Sequence, residues 1–75
     1  MEHDIELDAT GLLCPLPVLK ARKSLAALQP GQVLRLVVDD PAAVIDIPNF
    51  CAEVGHVLVS QDVDATPQVF VIKRK

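Results

Sequence analysis

The stretch Ile5-Glu6-Leu7-Asp8-Ala9-Thr10-Gly11-Leu12-Leu13-Cys14-Pro15-Leu16-Pro17-Val18 changes its hydrophobic period halfway along. Up to Ala9 the acids Glu2, Asp4, Glu6 and Asp8 take one parity, and His3, Ile5, Leu7 and Ala9 take the other. A period of two marks a strand with one wet face, and outward-pointing acids discourage edge-to-edge pairing. Thr10-Gly11-Leu12-Leu13 is the connection. Beyond it Val18, Ala21, Leu25 and Leu28 recur at helical spacing, with Lys20, Lys23, Ser24 and Ala27 opposite. Arg22 falls at the edge of the apolar stripe, where its stem can lie on the core and its head in water. Pro15 and Pro17 fit a helix start, because the first-turn N–H groups have no intrahelical partner. Pro30-Gly31 ends the helix after Leu28.

The remaining chain extends this strand-helix unit. Gln32–Val38 reads as a strand with Leu34, Leu36 and Val38 on one face and Arg35 on the other, stopped by Asp39-Asp40-Pro41. Pro41–Ile45 forms at most one turn. Asp46 reads as an N-cap with Pro48 in the first turn, followed by Ile47, Phe50, Cys51 and Val54 at i, i+3, i+4 and i+7, and Gly55 at the left-handed C-terminal position. His56–Val63 and Gln68–Lys73 are strands joined by a turn at Asp64-Ala65-Thr66-Pro67. The order is β-α-β-α-β-β. Two amphipathic helices need one sheet face to cover, which predicts an α+β, two-layer α/β sandwich with a four-stranded mixed sheet and both helices on one side.

At 75 residues the chain is read as a single domain, 1–75. Half its residues are hydrophobic and 23% are charged, the balance of a globular protein. A formal net charge of −3 argues against general nucleic-acid binding, which needs a basic surface. Phe50 and Phe70 are the only aromatic residues, too few for base-stacking platforms. No apolar run approaches the ~20 residues of a membrane span, and the acidic start Met1-Glu2-His3-Asp4 resembles no export signal. A cytoplasmic, reducing compartment is expected, in which Cys14 and Cys51 stay free thiols. A zinc site from Cys14, Cys51, His3 and His56 is conceivable by ligand type, but the spacings match no site pattern. Neither metal nor cofactor is expected.

Cys14 is the informative residue. At or just before the first turn, the helix dipole and free N–H groups favour a thiolate. Pro15 and Pro17 stiffen the approach and leave the donors of Leu16 and Val18. A residue before proline prefers extended geometry, so the expectation is an exposed, rigidly held thiol of lowered pKa. The structural alternative is a small buried hydrophobe, a common fate of free cysteine; that is the reading given to Cys51, on the apolar stripe of the second helix. His3 and His56 read as surface or strand-end histidines.

The run Leu7-Asp8-Ala9-Thr10-Gly11-Leu12-Leu13-Cys14-Pro15-Leu16-Pro17 resembles the L-D-x-x-G-x-x-C-P-x-P signature of the TusA/SirA family of small sulfur-carrier proteins. The likeness continues through Gln29-Pro30-Gly31, Asp39-Asp40-Pro41 and Asp46-Ile47-Pro48-Asn49-Phe50-Cys51. It implies a two-layer sandwich, a persulfide on Cys14, and motif support from Gly11, Pro15 and Pro17. It also implies sulfur relay from a cysteine desulfurase or rhodanese-like donor to an acceptor protein. In the best-known branch the sulfur ends in 2-thiouridine of transfer RNA; other branches serve sulfur oxidation or molybdenum-cofactor assembly. Two positions depart from the pattern: Leu16 is often charged in the family, and Ile45 is arginine in the tRNA-thiolation branch. Both departures leave donor and acceptor open.

The expectation is therefore a sulfurtransferase that carries persulfide without a conventional small-molecule active site, monomeric when free. Leu16, Lys20, Arg22, Lys23 and Asp46 are candidate docking residues; the basic ones also read as a solvated helix face. No general base is assigned, since an ionised thiol needs none. A regulatory binding module and a redox protein using Cys14 with Cys51 are the rival readings.

Overall fold

The computed structural model describes residues 4–75. The elements are β1 (Ile5–Asp8), α1 (Leu16–Ala26), β2 (Val33–Val38), α2 (Ala43–Val54), β3 (Val57–Asp62) and β4 (Gln68–Lys73). The strands form one mixed sheet in the order β1-β2-β4-β3. β1 runs parallel to β2, while β4 lies antiparallel to both β2 and β3. Parallel neighbours need a long crossover, and α1 supplies it. α2 then carries the chain past one strand position to β3, and β4 returns into the gap. The Cys14–Pro15 and Thr66–Pro67 peptide bonds are cis.

Alternation decides which side-chain set meets the helices. Leu34, Leu36 and Val38 of β2 join Phe70 and Ile72 of β4 in one buried cluster with Ala21 and Leu25 of α1 and Ala43, Ile47, Phe50 and Cys51 of α2. Both helices thus cover the same face, and the α+β sandwich expected from periodicity is present. β1 is an edge strand, as its acids implied. Within it Glu6 pairs with Arg35 at 2.6 Å across the outer face, and the Asp4 carboxylate accepts the Val33 N–H at 2.8 Å. Glu2 and His3, the first residues of the expected alternation, lie outside the described residues.

The helices differ from expectation at three points, and β2 and β3 are trimmed by a residue at their ends, to Val33–Val38 and Val57–Asp62. α1 stops at Ala26, and Ala27 and Leu28 continue only in tight turns, donating to the Ser24 and Leu25 carbonyls. Pro17, expected only as a helix-start residue, is buried on the core face of α1. The largest correction is at α2, which begins at Ala43, so Asp46 is a first-turn residue and not the N-cap, and Pro48 lies inside the helix. The helix start is held instead by Asp40: its carboxylate accepts the Ala42 N–H at 3.1 Å and its carbonyl accepts the Ala43 N–H at 3.0 Å. Pro48 deprives the Val44 carbonyl of a partner, and Val44 is an exposed residue, which lets water serve that group.

Candidate functional site

The segment from Thr10 to Pro15 joins the end of β1 to α1, and two carboxylates from the end of β2 pin it. The Thr10 N–H and hydroxyl both donate to Asp8, at 2.9 and 2.6 Å, and these bonds hold the Asp8 carboxyl below its ordinary pKa. Gly11 has a φ of +80°, which glycine adopts without strain, and its N–H donates to Asp39 at 2.9 Å. Three residues on, the Cys14 N–H donates to Asp40 at 2.7 Å. Asp40 is only 6% exposed. A buried carboxylate needs such partners, since an unpaired one costs several kcal/mol. Its carbonyl also accepts from the Gln68 amide at 3.3 Å. Asp39-Asp40 read in the sequence as a strand stop; here it is the anchor of the cysteine loop. The signal available was an Asp pair just before Pro41, a pattern that marks turns and caps.

Cys14 is exposed, as expected, but it lies one residue outside the cap, which is Pro15. Of the two donors left by the prolines, the Leu16 N–H is spent on the Leu13 carbonyl at 2.9 Å. The thiol instead meets carboxylates. A hydrogen bond to Asp46 raises its pKa above the ordinary thiol value, and desolvation and the negative charges of Asp46 and Asp40 push the same way. The expected pKa depression by the helix dipole is thereby overturned: the neighbouring carboxylates favour the protonated thiol. The sequence reading missed this because α2 brings Asp46 to Cys14 from thirty-odd residues away.

From Cys14 an open groove of about 280 Å³ runs between the two helices, lined by Val18 and Arg22 of α1 and by Asp46, Phe50 and Glu53 of α2. Its size falls at the lower edge of small-molecule sites. The Arg22 guanidinium lies 5.0 Å from the Phe50 ring centroid, so its stem follows the apolar stripe as anticipated. Lys20 and Lys23 are exposed on α1 but do not line the groove. Leu16 and Ile45 are exposed at 46% and 63%.

Cys51 is buried in the core, and burial pushes its thiol up to about 11. His56 packs against Phe50 and accepts the Lys75 N–H at 3.2 Å through Nδ1. Burial, then the charges of Lys75, Arg74 and Arg22, lower its pKa. It follows the C-terminal end of α2, whereas Cys14 faces the N-terminal turn. His3 lies outside the described residues. Among the described residues no group of three or more His, Cys, Asp or Glu is placed to hold a metal ion, and no helix is long and apolar enough to cross a membrane.

The fold is similar to the crystal structure of a SirA-like protein from Desulfitobacterium hafniense, with a TM-score of 0.77 and 27% identity over 93% of this chain and 95% of that one. The family model described as sulfurtransferase TusA matches residues 5–74, which carry the pinned loop, Cys14 and both helices, and the chain belongs to that family of sulfurtransferases.

Proposed function

We propose that the chain is a sulfur carrier that holds sulfane sulfur as a persulfide on Cys14. The observation that carries this is an exposed thiol on a loop tied down at Gly11 and Cys14 by Asp39 and Asp40, in a chain of the TusA family. A nucleophile that meets two successive protein partners needs a fixed position and open access. In the loading step Cys14 Sγ attacks the outer sulfur of a donor hydropersulfide. The new S–S bond forms, the donor's S–S bond breaks, and the donor sulfur leaves with the electron pair. In the unloading step an acceptor thiolate removes the same outer sulfur from Cys14.

The donor is a cysteine desulfurase or rhodanese-like protein, and the acceptor a protein of transfer-RNA 2-thiolation, in the cytoplasm. Sulfur oxidation and molybdenum-cofactor assembly are the alternative destinations. Gly11 and Pro15 shape the loop and Pro17 seats the first turn of α1 on the core, while Leu16, Lys20, Arg22, Lys23 and Asp46 serve as docking residues. The free carrier is a monomer, makes no direct contact with nucleic acid and uses no cofactor. Incubation with a cysteine desulfurase and cysteine is expected to add sulfur to the intact mass of the wild type and none to Cys14→Ser. Retention of the added sulfur by Cys14→Ser would refute the assignment.

A further inference from the structure

We propose that Asp46 is the proton acceptor and donor for Cys14 Sγ, a catalytic role that rests on the carrier reading above. Two ties bring the groups together. Asp40 holds the Cys14 N–H at 2.7 Å and also accepts the N–H groups at the start of α2. The first turn of α2 then carries Asp46 to the groove that Cys14 also lines, so that carboxylate and thiol share one open space.

A protonated sulfur must lose its proton to attack, and the neighbours leave one acceptor. Both Asp40 oxygens are engaged, by the Cys14 and Ala42 N–H groups, and the residue is buried. Arg22 is a permanent cation turned onto Phe50. Glu53 lines the groove one helical turn past Asn49 and two past Asp46, farther along α2. His56 is at the other end of that helix and bonded to Lys75. Asp46 lines the groove together with Cys14, and among the described residues no other hydrogen bond competes for its carboxylate.

The proton balance closes over both half-reactions. On loading, the Cys14 thiol proton passes to Asp46 as Sγ bonds to the outer sulfur of the donor hydropersulfide, and the donor thiolate departs. The Asp46 carboxyl passes the proton on to the departing donor thiolate or to solvent, and the site holds a Cys14 hydropersulfide. On unloading, an acceptor thiol gives its proton to Asp46 and takes the outer sulfur, Cys14 Sγ leaves with the electron pair, and Asp46 passes the proton to it. A leaving thiolate of raised pKa departs slowly, so protonation there has the most to gain. Cys14 Sγ is oxidised from thiol to persulfide level as the donor's inner sulfur is reduced to thiol level, so no outside oxidant is needed, and the site's charge is the same before and after each proton shift.

Two rates measured on Asp46→Asn separate this role from others. The first is alkylation of Cys14 by iodoacetamide across a pH series, which reads the thiolate fraction. The second is single-turnover uptake of sulfur from glutathione persulfide at pH 7, read by intact mass, which needs no protein docking. Loss of the carboxylate charge should move the alkylation midpoint to lower pH and speed alkylation at pH 7. Sulfur uptake should move the other way, slowing by about 10²-fold as expected for loss of a general base, and Asp46→Glu should recover part of it. Uptake by Asp46→Asn as fast as or faster than the wild type overturns the role, and so does an unchanged alkylation midpoint. A wild type that takes up no sulfur overturns the carrier reading itself, a result distinct from either.

Discussion

At the scale of single residues, the two cysteines show how position decides chemistry. Both thiols are pushed above their ordinary pKa, for different reasons: Cys14 by carboxylates at an open site, Cys51 by burial in the core. Burial at Cys51 disfavours the charged form, so the folded chain binds that proton more tightly than the unfolded chain, whose thiol titrates near about 8.5. The corresponding stability is complete below that value and is lost as pH rises through about 11. Urea-unfolding midpoints of the wild type should therefore fall steadily above about pH 9. Cys51→Ala should flatten most of that decline, cost about 1 kcal/mol at neutral pH through the small cavity left, and leave sulfur uptake at Cys14 intact. An alkaline decline equally steep in Cys51→Ala would show that another group is responsible.

At the scale of elements, the Asp39-Asp40 pair couples three of them. It ends β2, starts α2 and ties down the loop that leads into α1. Asp40→Asn keeps the shape but places an amide N–H₂ where one carboxylate oxygen accepted an N–H. Bonds of this charged kind contribute about 1.5–3 kcal/mol, so a loss of about 2 kcal/mol is expected in chemical denaturation. Amide hydrogen exchange should quicken at Cys14 more than at Leu36 in the sheet centre. Equal protection at Cys14 in both proteins would mean the loop is held by something else. The start of α2 was misread for a local reason. Asp46 followed by Pro48 is a good helix-start pattern, and it outweighed Ala42-Ala43-Val44-Ile45, whose own starting signal, Asp40, lies before Pro41.

Over the whole molecule, charge is segregated along the strands. Register places Asp8, Val37, Val69 and Asp62 in one row at the end of the sheet that carries the Cys14 loop, with Asp39 and Asp40 just beyond. Lys73, Arg74 and Lys75 lie at the opposite end, where Lys73 is opposite Val33. The site is thus acidic, which agrees with the upward push on the Cys14 thiol. The core that holds this arrangement is one cluster and small. Leu36 is fully buried at the centre of β2, between Leu7 of β1 and Phe70 of β4. Leu36→Ala should cost about 2–5 kcal/mol, a large share of the roughly 4–11 kcal/mol available to a chain of this length. A thermal melt should show partial unfolding well below the wild-type transition; a melt within a few degrees of wild type would mean the neighbours collapse into the gap.

The architecture was readable because it rests on local period: alternation in β1, β2 and β4 and the 3.6-residue stripe in α1 and α2 are properties of neighbouring residues, and burying one face of each leaves few ways to stack them. The exposed position of Cys14 was readable for the same reason, from the prolines beside it. Its protonation state was not. Asp40 and Asp46 come near Cys14 only after β2 has paired with β1 and α2 has folded back over the sheet, and the field at an atom is summed over neighbours in space. A helix start implied a positive environment for the thiol; tertiary packing supplied two carboxylates, Asp46 in the shared groove and Asp40 on the Cys14 N–H, and their full charges outweigh the partial charge of a helix end.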